Sequence, residues 1–214
     1  DTVRRLQKYQ RNIEKTKRSK KMTIEDVIKK ALIPMISMVF WLWMVKTIMG
    51  VCPKGATVVI ESTVSPGTID KYIRPIIEAN GFVVGKDINL VHAPERIIPG
   101  NMVYELLHNN RTIGADNREI GEKIKDIYAS FCQGEIVVTD IRTAEMTKVV
   151  ENTFRAVNIA FANELAKICR HDNMDVYEII KICNMHPRVN ILQPGPGVGG
   201  HCISVDPWFL VGDY

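Results

Sequence analysis

The chain has 214 residues, 46% of them hydrophobic and 24% charged, with a net charge of +4. That is the composition of a soluble globular protein of one or two domains with a sizeable core, and it leaves no room for a low-complexity chain. The positive charge is local: residues 1–30 hold eleven Lys/Arg against four Asp/Glu, net +7, and the remainder holds seventeen against twenty, net −3.

A slightly acidic body gives no reason to expect nucleic acid. The basic arm reads either as a contact for an anionic partner or as a solvated helix or tail, the commoner use of such a run. Five cysteines, an odd number at wide spacing, point to reduced thiols in a cytoplasmic setting rather than a disulfide scaffold.

In chain order, residues 1–30 predict a charged helix. Residues 31–45 are apolar apart from Ser37, and Lys46 then interrupts. The run is short against the roughly twenty residues a bilayer requires, although a snorkelling Lys46 would extend it to Cys52. It reads as a membrane-contacting segment over 31–52 or, preferred because the body looks cytosolic, as a helix buried against protein. From Cys52 the pattern changes. Short β-rich runs at Thr57–Glu61, Ile88–His92, Arg111–Gly114 and Glu135–Thr139 predict strands. Pro66 opens a helix to about Ala79, and Asp116 to about Phe131 predicts another. Strands alternating with helices imply a parallel sheet.

After Asp140 the apolar period becomes helical. Thr143 to about Cys169 predicts one long helix with Met146, Val149, Val150, Phe154, Val157, Phe161, Leu165 and Ile168 on its apolar side. A further helix is expected over 175–183, and Asp206-Pro207 reads as a helix start. The fold class is therefore α/β: a partial doubly wound, Rossmann-like parallel sheet, then a helical central domain with one long helix. The expected divisions are 1–49, 50–140 and 141–214.

The chemistry concentrates in Gly195-Pro-Gly-Val-Gly-Gly-His-Cys-Ile-Ser-Val-Asp206. Gly197, Gly199 and Gly200 let a backbone approach a ligand closely, and Cys202 on such a loop is placed to be reached. The alternative is a turn with an incidental cysteine. Lys148 and Asn152 are four apart and share a helix face, as many solvated pairs do. Glu95 follows a strand end, where open α/β sheets place ligand sites, and Thr63 follows the preceding strand. A thiol, a cation, an amide, a hydroxyl and two carboxylates (Asp206 is the second) suit oxidation through a covalent thioester. A Cys₂His₂ zinc site from Cys183, His186, His201 and Cys202 is a rival, disfavoured by Pro187 and by adjacent His-Cys ligands; no metal is expected.

Glu61-Ser-Thr-Val-Ser-Pro-Gly-Thr68, Ala93-Pro-Glu-Arg-Ile-Ile-Pro-Gly100, Glu145-Met-Thr-Lys-Val-Val-Glu-Asn152 and Gly197 to Pro207 resemble the UDP-glucose/GDP-mannose dehydrogenase family. Pro94-Glu-Arg96 and His186-Pro-Arg-Val-Asn190 most resemble its UDP-N-acetyl-D-mannosamine dehydrogenase branch. The likeness runs in order from about Gly50 to Tyr214, and residues 1–49 lie outside it.

The resemblance implies an NAD-dependent, four-electron oxidation of a nucleotide-sugar C6 alcohol to a carboxylate. It makes Cys202 the nucleophile and Lys148 the oxyanion stabiliser. Asn152 becomes a hydrogen-bond donor to the same region, and Asp206 orders the hydrolytic water. Glu95 and Thr63 serve as acid/base and water-holding groups beside the cofactor. Arg188 and Asn190 are expected on the substrate diphosphate, with Gly197, Gly199 and Gly200 against the sugar. The long helix is expected to form a homodimer core.

Pro99, where glucose-type members carry a second glutamate, favours the acetamido-sugar branch. UDP-glucose and GDP-mannose 6-dehydrogenases are the alternatives within the family. No strand, Gly-x-Gly-x-x-Gly turn and helix open the chain, which leaves a non-catalytic remnant or interaction module as the reading from another class.

Overall fold

The computed structural model describes residues 33–97, 100–200 and 202–213. The charged helix expected over residues 1–30, Pro99 and His201 lie outside the described residues. The chain divides into two units, one ending at Ile48 and the other running from Met49 to Tyr214.

The apolar run forms α1 (Ile33–Met49), a 17-residue helix with Lys46 in its last turn and all but Met49 in the first unit. Among the described residues no helix is long and apolar enough to cross a membrane.

The second unit begins with β1 (Ala56–Ile60). A π-helical turn over Ile69–Ile73 runs into α2 (Arg74–Ala79), and β2 (Ile88–His92), α3 (Met102–His108) and β3 (Arg111–Ala115) follow. Next come α4 (Arg118–Ala129), β4 (Ile136–Thr139), α5 (Ile141–His171), α6 (Val176–Cys183) and α7 (Asp206–Asp213). Three of these helices start where a side chain takes up a free backbone N–H. Asn117 caps α4 through Glu119 N, Asp140 caps α5 through Thr143 N, and Asp175 caps α6 through Tyr177 N, each at 2.8 Å.

The four strands lie in chain order, β1-β2-β3-β4. The β1–β2 and β3–β4 pairs are parallel, as expected for strands joined by helical crossovers. The middle pair departs from the expected parallel sheet: β2 and β3 are antiparallel, with Val91 opposite Ala115 and His92 opposite Gly114. The sheet is thus mostly parallel. The cause is local. Arg111 Nη1 donates to Glu95 Oε2 at 3.0 Å, and Arg96 donates to the Asn110 carbonyl at 3.0 Å. These bonds start β3 at the edge where β2 ended, so the chain must run back.

The α/β core gathers Val91, Ile113, Ile136 and, from α4, Ile124 and Tyr128. The long helix is seated on the sheet at its first turn. A Cβ at Gly114 of β3 would come within 2.7 Å of Ala144 Cβ and Ile141 Cα, so only glycine lets β3 and α5 approach this closely. A second anchor is Glu145, 1% exposed, whose carboxylate accepts from Gly67 N at 2.6 Å and Ile69 N at 2.9 Å. The rest of α5 reaches beyond the sheet and carries α6 and α7. On that stretch Val150, Phe154, Val157, Phe161 and Ile168 are exposed, with Phe154 at 64% and Val157 at 65%. All five cysteines are unpaired.

Candidate active site

α5 is the spine of the site. Lys148 and Asn152 stand one turn apart on it and are almost fully covered, at 9% and 8% exposure. From α6 the chain returns through the glycine-rich loop to Asp206, the first residue of α7, which is 4% exposed. Asn152 Nδ2 donates to Asp206 Oδ2 at 2.5 Å in a buried contact that spans 54 residues of sequence. Burial pushes the Asp206 carboxyl above its ordinary range, while the Asn152 bond and the Lys148 charge pull it back.

Cys202 lies one turn earlier and is exposed. Its carbonyl accepts from the backbone N–H groups of Val205 and Asp206, both at 2.9 Å, which fixes it at the mouth of α7. Gly200, at φ +124°, supplies the turn that brings Cys202 round, a conformation closed to residues with a side chain. Gly200, Cys202, Lys148 and Asn152 share one open cleft of about 950 Å³, large enough for a sugar nucleotide. A thiol, an ammonium and an amide therefore converge on one space, and the amide holds the buried Asp206 carboxylate.

The other expected residues are distributed differently. Thr63 and Glu95 are half-buried in the loops just past the carboxyl ends of the paired strands β1 and β2, and neither is among the residues lining the cleft. Glu95 is held by the Arg111 contact and by Arg96 N at 2.7 Å. Arg188 and Asn190 are exposed in the segment after α6, away from the cleft lining. Arg188 N donates to His186 Nδ1 at 3.3 Å, and the Asn190 carbonyl accepts from Asn158 at 2.7 Å. Gly197 lines a second cavity of about 350 Å³ beside the outer half of α5, and Gly199 lines neither. Gly195, Gly197 and Gly200 have the Gly-x-Gly-x-x-Gly spacing. They follow a helix rather than a strand, and α7 starts only at Asp206, so the loop lacks the setting of a dinucleotide turn. Among the described residues no three His, Cys, Asp or Glu side chains gather to hold a metal ion.

Arg96, Arg111, Glu151 and Arg155 also line the cleft, and none of them was given a site role from the sequence. Arg96 and Glu151 form a two-point ion pair at 2.7 and 3.0 Å. Arg111 stacks its guanidinium 4.8 Å from the Tyr128 ring, and the Tyr128 hydroxyl donates to Glu61. Glu151 and Arg155 sit on the Lys148 face at helical spacing, which was the one available signal.

Two family models match. That of the UDP-glucose/GDP-mannose dehydrogenase family NAD binding domain covers residues 13–132, starting inside the stretch read above as outside the family pattern. That of the family's central domain covers residues 142–214. The chain belongs to the UDP-glucose/GDP-mannose dehydrogenase family. It is 51% identical over 158 residues to the UDP-N-acetyl-D-mannosamine dehydrogenase of Methanococcus aeolicus, covering 74% of this chain and 35% of that protein.

Among solved structures it resembles the UDP-N-acetyl-mannosamine dehydrogenase Cap5O from Staphylococcus aureus, with 51% identity and a TM-score of 0.71 over 83% of this chain and 42% of that one. It also resembles a UDP-D-ManNAc dehydrogenase from Pyrococcus horikoshii, with 43% identity and a TM-score of 0.77 over 81% and 42%. The chain thus spans between about a third and two fifths of the length of these relatives.

Proposed function

We propose that this chain supplies the thiol-bearing part of the active site of an NAD-dependent nucleotide-sugar 6-dehydrogenase. The substrate is UDP-N-acetyl-D-mannosamine and the product UDP-N-acetyl-D-mannosaminuronate. The observation that carries the reading is the cleft shared by Lys148, Asn152 and Cys202, with Asn152 bonded to the buried Asp206 carboxylate. The named relatives support the choice of sugar.

The reaction removes a hydride and a proton from the C6 alcohol to give an aldehyde. The Cys202 thiolate then adds to the aldehyde carbon, forming the C–S bond and moving the carbonyl electron pair onto oxygen. Lys148, poor in water contact, stabilises that oxyanion far better than a solvated ammonium. Loss of a second hydride from the thiohemiacetal gives a thioester. Asp206, oriented by Asn152, takes a proton from water as it attacks the thioester carbon. The C–S bond breaks, the acid leaves and the thiolate is restored.

NAD, when bound, would supply the hydride acceptor, two equivalents per sugar. The Thr63 hydroxyl and the Glu95 carboxylate, a donor and an acceptor at the carboxyl edge of a parallel strand pair, fit its nicotinamide half and would hold it there. The exposed seam of Val150, Phe154, Val157 and Phe161 repeats at three- and four-residue intervals, continues seven residues on at Ile168, and pairs two copies of α5 into a homodimer.

The test is NADH formation from UDP-N-acetylmannosamine and NAD⁺ by the purified chain. A parallel assay uses a chimera in which residues 50–214 replace the matching stretch of the Methanococcus aeolicus relative. Turnover that vanishes in Cys202→Ser supports the reading, and turnover indifferent to Cys202 overturns it. A chimera more active on UDP-glucose would overturn the sugar assignment.

A further inference from the structure

The cleft carries four cations: Arg96, Arg111, Lys148 and Arg155. Arg96 is neutralised by Glu151, Arg111 by Glu95, and Lys148 lies in the field of Asp206. Among the described residues Arg155 has no carboxylate partner. A partner stands at the favourable distance, because Glu151 is four residues earlier on the same helix, the arrangement in which Glu and Arg pair best. Both Glu151 oxygens are taken instead by Arg96, at 2.7 and 3.0 Å. Arg96 is itself fixed to β3, through the Asn110 carbonyl and Thr112 Oγ1, each at 3.0 Å. Glu151 is thus held toward the sheet, and the Arg155 guanidinium is left as an uncompensated positive charge in the cleft.

Its position defines what it meets. Arg155 is three residues from Asn152 and seven from Lys148, about 10 Å from Lys148 along the helix axis. A nucleotide sugar with C6 at Lys148 and Cys202 carries its diphosphate on C1, which is joined to C5 through the ring oxygen, so the two phosphates run outward from that edge of the ring, within reach of a long side chain two turns along the helix. A guanidinium is suited to two phosphate oxygens at once.

We propose that Arg155 is the cation that binds the substrate diphosphate in this cleft, kept available by the Arg96–Glu151 pair. This rests on the nucleotide-sugar reading and gives Arg155 the role the sequence suggested for Arg188.

The test is calorimetric titration of the full chain with UDP, and with uridine as the uncharged probe, for wild type, Arg155→Gln and Arg155→Lys. Arg155→Gln weakens UDP binding about tenfold or more, as loss of a charged hydrogen-bonding partner requires. Arg155→Lys restores part of it, and uridine binding is the same throughout. Arg96→Ala, which releases Glu151 to Arg155, also weakens UDP binding, and adding Glu151→Ala recovers it.

Wild-type affinity in Arg155→Gln, absence of saturable UDP binding by the wild-type chain, or failure of Glu151→Ala to rescue Arg96→Ala overturns the proposal. NADH formation is read separately. A chain that binds UDP through Arg155 and makes no Cys202-dependent NADH keeps the binding assignment and sinks the reaction.

Discussion

Acid should weaken this fold through His92. The side chain ends β2, is fully buried, and sets Nδ1 2.9 Å from the carbonyl of Ile60, its paired residue on β1. A carbonyl only accepts, so Nδ1 carries the proton of the neutral ring. Nε2 faces no partner. Protonating it places a charge and an unpaired N–H in the core. Burial accordingly pushes the His92 pKa down from 6.5 to about 4, against a smaller upward pull from the Ile60 bond. The unfolded chain takes up this proton near 6.5, so between the two values it binds more protons than the folded one. The stability contribution is full above 6.5 and is lost as pH falls through about 4.

The loss works out at about 1.4 kcal/mol near pH 5.5 and about 3 kcal/mol near pH 4. Urea unfolding at those pH values and near neutrality, for wild type and His92→Asn, measures it. The Asn amide can still donate to Ile60 and does not titrate. Burial raises the Glu145 and Asp206 carboxyls, so their contributions fall as pH rises, the opposite sign, and they are common to both proteins. Wild type should therefore lose about 3 kcal/mol more than the variant between neutrality and pH 4. Parallel pH profiles would refute the buried-neutral assignment.

Gly114→Val forces α5 off β3, because even a Cβ there would meet Ile141 Cα at 2.7 Å and the Asp140 carbonyl at 2.8 Å. It should cost about 1–3 kcal/mol or more in thermal unfolding, and an unchanged Tm would count against the packing. Asn152→Ala leaves the buried Asp206 carboxylate without its amide donor. A loss of about 1–3 kcal/mol is expected in denaturant titration, and wild-type stability would show that the bond does little. Phe154→Asp charges the exposed seam of α5. Light scattering should then give a monomer where wild type is a dimer, and a persisting dimer would remove α5 as the interface.

The strands were legible because each is a short β-branched run between turn residues. The long helix was legible because its apolar period holds from Met146 to Ile168 with no glycine or proline. α3 escaped notice. It has seven residues, no side-chain cap, and Met102, Val103 and Tyr104 all exposed, so its sequence shows no buried face. Missing it hid the reversal between β2 and β3, which Arg96 and Arg111 fix through contacts between loop and strand.

In the site, spacing put Lys148 and Asn152 on one helix face and the glycine-rich loop singled out Cys202 and Asp206, while the family resemblance gave them their roles. The Asn152–Asp206 bond, the Arg96–Glu151 pair and the vacancy it leaves beside Arg155 depend on where α5 lies against β3 and α7. A run such as Glu151 to Arg155 reads on its own as an ordinary solvated helix face.

The most direct measurement is NADH formation with UDP-N-acetylmannosamine by the chimera carrying residues 50–214, compared with its Cys202→Ser form. Acid formation by the parent and none by the variant, with both proteins folded, is the result expected of a thiol that carries the sugar between the two hydride transfers. Equal rates of acid formation in the two would contradict it.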